Sequence, residues 1–214
     1  MDSVGESLIC IVDDDEGVRD SLGNLLRATG HAVLTFAGPD EFLGCDAADT
    51  ASCLVLDVQL EGANGLDFQQ ALIDNEMPVP VILMSGHGDI PMTVRAMRAG
   101  AVTFLPKPFD EEEMLSAIEE AIARDRNRRS QAQAEQGLRA RFNSLTPRER
   151  DVFGLVTAGL MNKQIAGRLE LSEITVKIHR GNLMRKMQAQ SLADLVRMAE
   201  SLGVRQPVSR YNHA

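Results

Sequence analysis

Short apolar runs alternate with amphipathic stretches over the first 124 residues of the chain. Most of these runs lack the strict period of two that marks a half-exposed strand, which is typical of strands buried on both faces of a parallel sheet. The runs predict strands at Leu8–Val12, Ala32–Phe36, Cys53–Leu56, Val81–Met84 and Val102–Leu105. The stretches between them predict helices at Glu16–Thr29, Pro39–Cys45, Gly65–Asn75, Ile90–Ala99 and Asp110–Arg124. Five strand–helix units predict a doubly wound α/β fold built on a five-stranded parallel sheet.

Helical signals fill the rest of the chain. Residues 125–142 are rich in Ala, Gln and Arg and contain no Pro, which predicts a solvated helical linker; a signalling helix that contributes to dimerisation is the alternative. Beyond the linker, helices are predicted to begin near Pro147, Lys163, Glu173 and Ser191. The second and third of these are joined by a short turn and form a helix-turn-helix candidate within an all-α domain. The predicted domains are residues 1–124, 125–142 and 143–214.

Overall composition is that of an ordinary globular protein, with 44% hydrophobic and 25% charged residues. No apolar run approaches the roughly 20 residues that span a bilayer, and the first residues lack the basic and apolar regions of a signal peptide. The cysteines Cys10, Cys45 and Cys53 have no metal-ligand spacing. They are predicted to be buried, reduced thiols of a cytoplasmic protein that makes no membrane contact.

The net charge of −9 conceals a division between two parts of the chain. Residues 1–124 contain 23 acidic and 6 basic side chains, a net charge of −17, whereas residues 125–214 contain 8 acidic and 16 basic side chains, a net charge of +8. A phosphate polymer suits the basic part and not the acidic part. The charge distribution therefore indicates two modules with different partners.

Polar side chains follow four of the predicted strands. They are Asp13, Asp14 and Asp15 after the first strand, Asp57 after the third, Ser85 after the fourth and Lys107 after the fifth. Ligands of such sheets gather outside the carboxyl ends of the strands, so two or three of these carboxylates, the hydroxyl and the ammonium are predicted to converge on one edge. Closely packed carboxylates repel one another, and oxygen ligands favour Mg²⁺, which usually accompanies a phosphoryl group. The predicted cofactor is therefore Mg²⁺.

This convergence supports phosphoryl transfer. Asp57 can attack a phosphoryl donor and become an aspartyl phosphate, while Mg²⁺ and Lys107 offset charge on the transferring oxygens. Ser85 would then donate a hydrogen bond to the bound phosphoryl group. Each residue taken alone is as well explained by a helix cap, a turn or a solvated side chain. The joint pattern at several strand ends is what predicts the site.

The sequence around these residues closely resembles the receiver domain of two-component response regulators. The motifs are IVDDDEGVRDSLGNLL, LVLDVQL, VILMSGHGDI and FLPKPF, and the resemblance covers about residues 6–124. It implies a flavodoxin-like fold in which Asp57 is the phosphoacceptor. It also implies that Asp14 and the backbone carbonyl of Gln59 ligate Mg²⁺ beside Asp57, with Asp13 contributing through water.

The same resemblance implies a switch and a partner. Ser85 and Phe104 match the family's switch pair, with Phe104 standing where many receivers carry Tyr. Lys107 matches the family's lysine position, and the cis peptide of the family would lie between Lys107 and Pro108. The resemblance implies a sensor histidine kinase as the phosphoryl donor and a chain that is not itself an enzyme.

A second resemblance covers about residues 143–205. There SLTPRERDVFGLVTAGLMNKQIAGRLELSEITVKIHRGNLMRKM closely resembles the LuxR-type DNA-binding domain. Together the two resemblances imply a transcriptional regulator of the FixJ/NarL type, most like the subgroup of the styrene-responsive regulator. Lys177 and Ile178 are implied to approach bases, while Gly181 stands where some relatives place a base-reading Lys. The implied DNA-binding residues are Lys163, Ser172, Thr175, Val176, Lys177, Ile178, His179 and Arg180.

The resulting hypothesis is a phosphorylation-controlled transcription factor. Phosphorylation would drive the formation of a homodimer, with promoter DNA and RNA polymerase as partners. The last predicted helix, through Leu192, Leu195, Val196 and Met198, is the candidate pairing surface; closing the core of the small domain is the alternative for some of these residues.

Two other functions fit part of the sequence. A receiver that serves as a phosphate sink or a protein-binding adaptor would leave the basic helix-turn-helix unused. A haloacid-dehalogenase-like phosphatase also uses an aspartate after a strand, but Asp57-Val58-Gln59 lacks a second Asp two positions after the nucleophile. Binding to promoter DNA distinguishes the transcription factor from the adaptor.

Overall fold

Residues 7–86 and 89–204 are described by the structure, which is a computed structural model. Contacts divide the chain into two compact units, Met1–Arg129 and Ser130–Ala214. No helix among the described residues combines the length and the apolar character that crossing a membrane requires.

Strands of the first unit form two sheets. They are β1 (Leu8–Val12), β2 (Ala32–Phe36), β3 (Cys53–Asp57), β4 (Gln59–Leu60), β5 (Ala63–Asn64), β6 (Val81–Ser85) and β7 (Thr103–Pro106). Five of these strands pair in parallel in the order β2-β1-β3-β6-β7, whereas β4 and β5 form a small antiparallel pair. The predicted five-stranded doubly wound sheet is confirmed.

Both faces of the large sheet are covered, which explains the unbroken apolar runs. Along β1, Cys10 and Val12 pack into one core cluster, while Ile9 and Ile11 pack into another on the opposite face. All four side chains are fully buried. The strand ends that hold the polar residues are therefore fixed by two apolar layers.

The first unit contains the helices α1 (Glu16–Ala28), α2 (Pro39–Leu43), α3 (Ala47–Thr50), α4 (Gly65–Asp74) and α5 (Ile90–Arg98), and α6 (Glu111–Asn143) begins in this unit. The sequence analysis missed α3 and the β4–β5 pair. These elements are about one period long, with four residues in α3 and two in each of β4 and β5, so no repeating apolar pattern can identify them. Cys10 and Cys53 are buried thiols as predicted, but Cys45 is only half-buried.

Hydrogen bonds around a buried aspartate attach helix α6 to the first unit. Asp125 is 2% exposed and accepts hydrogen bonds from Arg128 and Arg129, each at 2.6 Å. The Arg129 guanidinium also donates to the backbone carbonyls of Thr50 (2.8 Å) and Ala51 (3.0 Å), just before β3. The border of the first unit falls directly after Arg129, five residues beyond the predicted end of the first domain.

Four helices of the second unit follow α6. They are α7 (Pro147–Thr157), α8 (Asn162–Leu169), α9 (Glu173–Met187) and α10 (Leu192–Ser201). Thr146 caps α7 and forms a capping box with Glu149. The small core between the helices includes the fully buried side chains Val152, Ile165, Val176, Leu183 and Met187. The predicted all-α domain with a helix-turn-helix at α8–α9 is confirmed.

The buried acid of α6 generates a testable difference in stability. We expect Asp125→Asn to lower the free energy of unfolding by about 1–3 kcal/mol, because it leaves two guanidinium groups facing a neutral amide in a buried position. Glu120 offers a matched control on the same helix, since it also pairs with an arginine four residues on but is 54% exposed. We expect Glu120→Gln to change stability by less than about 0.5 kcal/mol. Urea denaturation of the full chain measures both, and equal effects would contradict the prediction.

Candidate functional site

Three carboxylates meet at the carboxyl ends of β1 and β3. One ligand atom from each of Asp13, Asp14 and Asp57 lies within 4.8 Å of the others. Asp13 is fully buried and Asp57 is 5% exposed, whereas Asp14 is exposed. The predicted convergence of these acids is therefore present, except that Asp15 is turned away. Its side chain caps α1 by accepting from the backbone of Gly17.

Lys107 links the two buried acids. Its ammonium lies 2.6 Å from Asp13 Oδ2 and 3.1 Å from Asp57 Oδ1. The end of β7 positions the lysine, because the Lys107 backbone N–H donates to the carbonyl of Ser85 on β6 at 2.7 Å. The peptide bond between Lys107 and Pro108 is cis, as the resemblance implied.

Burial and charge shift the two central groups. Burial raises the pKa of the Asp57 carboxyl, and the charges of Asp13 and Asp14 add to this rise, whereas the Lys107 ammonium opposes it. Burial acts to lower the pKa of Lys107, but its hydrogen bond and attraction to Asp13 outweigh burial, so that pKa is raised. Lys107 therefore carries its positive charge at neutral pH.

Backbone contacts hold the acidic residues in place. Arg19 donates to the carbonyl oxygens of Asp13 (2.7 Å) and Asp14 (2.9 Å), and the Glu61 N–H donates to Asp14 Oδ2 at 3.0 Å. A Cβ atom at Gly65 would lie 2.2 Å from the Asp57 carbonyl oxygen, so only glycine lets α4 begin this close to the acid. The sequence analysis missed both Arg19 and Gly65. A cation one turn after the acidic run was the available signal for Arg19.

The remaining predicted receiver residues lie on neighbouring elements. Ser85 ends β6, one residue beyond Met84, which pairs in register with Asp57. Ser85 is fully buried, and Phe104 on β7 is half-buried against one core cluster of the sheet. Gln59 lies on β4 and is exposed.

The charges of this pocket fit a divalent cation. Three carboxylates face one ammonium, which leaves a net charge near −2 when all three acids are ionised. Asp57 Oδ1 is buried, and the Lys107 ammonium that lies 3.1 Å from it is shared with Asp13. This single ammonium therefore offsets only part of the charge of the carboxylates. The oxygen donors of this pocket are of the kind that Mg²⁺ prefers.

The second candidate surface is the exposed side of α8 and α9. Ser172 caps α9 by accepting from the backbone of Thr175 at 3.0 Å. Lys163, Lys177 and Ile178 are exposed. This side therefore presents cations and an apolar group on the second helix of a helix-turn-helix, where recognition of DNA bases takes place in this motif.

Other implied DNA-binding residues have internal partners. Val176 is fully buried in the core of the second unit, which corrects the expectation that its side chain contacts DNA. Val176 lies on the side of α9 that faces this core, about 160° around the helix axis from the exposed Ile178. His179 is half-buried, and Arg180 donates to the Asn162 side chain at 2.7 Å.

The pairing surface suggested for α10 is divided between core and solvent. Leu195 is 1% exposed and belongs to the core, and Met198 packs against it. Leu192 is 44% exposed and Val196 is half-buried. Closing the core therefore accounts for two of the four residues.

The parallel sheet with its acidic pocket and the helix-turn-helix define a class of protein, the response regulators that join a receiver to a DNA-binding domain. Residues 9–119 match the response regulator receiver domain, and residues 143–199 match the luxR family of bacterial regulatory proteins. The chain belongs to this family of phosphorylation-controlled transcriptional regulators and to its FixJ/NarL type. The family consists of transcriptional regulators, which favours the transcription factor over the adaptor and the phosphatase.

Individual relatives match nearly the whole chain. Nodulation protein W of Bradyrhizobium diazoefficiens is 50% identical over 93% of this chain and 88% of its own length, and response regulator TodT of Pseudomonas putida is 44% identical over 92% and 86%. The structure of response regulator StyR is 45% identical with a TM-score of 0.83, covering 92% of this chain and 99% of that chain. Full-length FixJ from B. japonicum is 38% identical with a TM-score of 0.57, covering 95% and 100%. The resemblance to the styrene-responsive subgroup is thereby confirmed.

An ion pair that orients α9 makes stability depend on pH. Glu149 is 3% exposed and its carboxylate lies 2.7 Å from the Lys186 ammonium. Burial acts to raise the pKa of Glu149, but the hydrogen bonds from Lys186 and Thr146 outweigh it and lower the pKa below the ordinary value of 4.5. The stabilisation is therefore fully present above about pH 4.5 and is lost as the pH falls through the depressed pKa.

We expect Glu149→Gln to cost about 1–3 kcal/mol at pH 7, because it removes a charge-assisted bond between α7 and α9. The loss of unfolding free energy caused by this substitution should be smaller when urea denaturation is repeated near pH 3. Asp151→Asn is the control, since Asp151 forms an exposed pair on the same helix with Arg148 at 3.6 Å. A cost for Glu149→Gln that does not change with pH would refute the charge argument.

Proposed function

We propose that Asp57 accepts a phosphoryl group from a sensor histidine kinase and that the phosphorylated chain binds promoter DNA as a homodimer. The observation that carries this proposal is the buried Asp57 carboxylate, whose Oδ1 lies 3.1 Å from the Lys107 ammonium. A carboxylate oxygen has lone pairs for attack on phosphorus, and the ammonium beside it attracts the anionic donor.

The transfer forms one bond and breaks one. An Asp57 carboxylate oxygen bonds to phosphorus while the bond between phosphorus and the donor breaks, and the donor leaves with the electron pair. Lys107 offsets the negative charge that spreads over the phosphoryl oxygens. Asp13, Asp14, Asp57 and the backbone carbonyl of Gln59 would hold Mg²⁺, which when bound supplies further neutralisation of that charge.

Ser85 and Phe104 form the proposed switch. A phosphoryl group adds about −1.5 to −2 charges and several hydrogen-bond acceptors next to the end of β6. The Ser85 hydroxyl then donates to the phosphoryl group, and Phe104, which is half-buried on the neighbouring strand, turns into the space that the serine leaves. This change reshapes the face formed by α5, β7 and the start of α6, where the homodimer is proposed to form.

The second unit supplies the DNA contacts in this proposal. Lys177 and Ile178 approach bases, and the proposed phosphate and support contacts come from Lys163, Ser172, Thr175, His179 and Arg180. The net charge of +8 over residues 125–214 favours DNA, and RNA polymerase is the proposed partner at the promoter. Residues 1–124, 125–142 and 143–214 are the proposed functional division of a chain that acts as a regulator rather than an enzyme.

Phosphoryl uptake should depend on Asp57. We expect Asp57→Asn to take up no label from radiolabelled acetyl phosphate, because an amide lacks the nucleophilic oxygen. Asp67→Asn is the matched control, since Asp67 is an exposed acid paired with Arg95 in the same unit, and it should retain full uptake. A chelator should abolish uptake by the unaltered chain. Label uptake by Asp57→Asn at the unaltered level would disprove the assignment.

Two variants of α9 should separate base contacts from phosphate contacts. We expect Lys177→Ala to reduce discrimination between operator and random DNA by about 1–3 kcal/mol, as the loss of a base contact does. We expect Arg180→Ala to weaken all DNA about equally and to reduce the slope of log affinity against log salt by about one unit. Binding titrations at several salt concentrations measure both. Unchanged discrimination in Lys177→Ala would remove that residue from the base-reading set.

A further inference from the structure

Two isoleucines on α9 are largely exposed to solvent instead of being packed in the core of the second unit. Ile174 is 74% exposed and Ile178 is 58% exposed, while Val176 between them is fully buried. Residues four apart lie on the same face of a helix, about 6 Å from one another along its axis. The first two turns of α9 therefore present a pair of branched apolar side chains to the outside of the second unit.

Exposed cations lie near this pair, together with an exposed acid, Glu173, which precedes Ile174 in the chain. Lys177 lies between the two isoleucines along the chain and is exposed, and Lys163 at the start of α8 is exposed as well. Protein-binding surfaces are depleted of lysine at their centres, whereas DNA-binding surfaces combine cations with groups that reach base edges. Charge complementarity thus favours DNA over a protein as the partner that covers the pair.

Neighbouring polar groups on these turns are engaged within the domain. Ser172 accepts from the Thr175 backbone, and the two hydroxyls of these residues lie 2.8 Å apart. One turn beyond Ile178, a Cβ atom at Gly181 would meet nothing within 4 Å. The stripe formed by Ile174, Ile178 and Gly181 therefore offers apolar contact at two positions and open space at the third.

We infer that Ile174 and Ile178 read the 5-methyl groups of thymine bases in the major groove. Thymine methyls are the apolar groups that base pairs present in this groove, and apolar side chains recognise them by contact. The inference rests on the proposed DNA-binding function and adds a specificity determinant to it. The operator half-site carries thymines where the first two turns of α9 meet the base pairs.

Replacing thymine by uracil tests the inference directly, because uracil keeps every hydrogen-bonding group and lacks only the methyl. An operator is first selected from random duplex DNA with the full chain treated with acetyl phosphate. Single thymines are then replaced by uracil and binding is measured by titration. We expect about a three- to fivefold loss of affinity at each contacted thymine, the size expected for the burial of one methyl group.

Variants assign the contacts to side chains. Ile174→Ala and Ile178→Ala should each bind the thymine operator more weakly, and each should no longer distinguish thymine from uracil at one position. Ile73→Ala is the control, since Ile73 is a 47% exposed isoleucine of the first unit and its replacement should leave the discrimination intact. The uracil comparison with the unaltered chain stands even if a variant fails to fold.

Each other outcome overturns a defined statement. Equal affinity for the thymine and uracil operators would disprove methyl recognition while leaving DNA binding in place. Absence of binding to any DNA would instead disprove the proposed function. If the variants keep their affinity and their discrimination but lose transcriptional activation, the isoleucine pair contacts a protein, and the inference is wrong.

Discussion

The first unit depends on one electrostatic constraint, which is that Asp13 and Asp57 are held as neighbours in a buried pocket. Two buried carboxylates repel each other strongly because the surrounding protein screens charge poorly. Lys107 lies between them and compensates only part of that charge. The pocket is therefore built with an excess of negative charge. In the proposed function, this excess attracts a cation, whose charge then permits a phosphoryl group to enter.

Parallel topology makes this arrangement possible. The central strands β1 and β3 are adjacent, so their carboxyl ends bring Asp13 and Asp57 together, and β7 delivers Lys107 from the edge of the sheet. Backbone contacts then remove the remaining freedom. Arg19 binds the carbonyls of the acidic turn, and Gly65 lets the start of α4 lie directly against the Asp57 backbone. The acids are preorganised, so little reorganisation is required when the donor arrives.

Much of this could be predicted from the sequence because the relevant signals are local. Strands β1, β3 and β6 are apolar runs that end in or are followed by a polar residue, and Lys107 follows β7. The position of Asp57 and the edge that it shares with Lys107 therefore follow from topology rules. The close approach at Gly65 could not be predicted, since it depends on the path of a loop that contains no periodic pattern. Helix α9 shows a second limit of prediction from the sequence. Ile174, Val176 and Ile178 are all β-branched and apolar, and composition does not reveal that only Val176 is buried.

The rotation of α9 about its axis is set by its packing against the core of the second unit and by its contacts with α7. Val176, Leu183 and Met187 point into the small core, and the buried Glu149 carboxylate holds Lys186 on the same side of the helix. Lys186 therefore forms an internal ion pair, whereas Lys177 is exposed. The capping box at Thr146 fixes the Glu149 side chain that makes this pair. The core packing and this charge pair together fix which face of α9 is exposed, and Ile174 and Ile178 lie on that face.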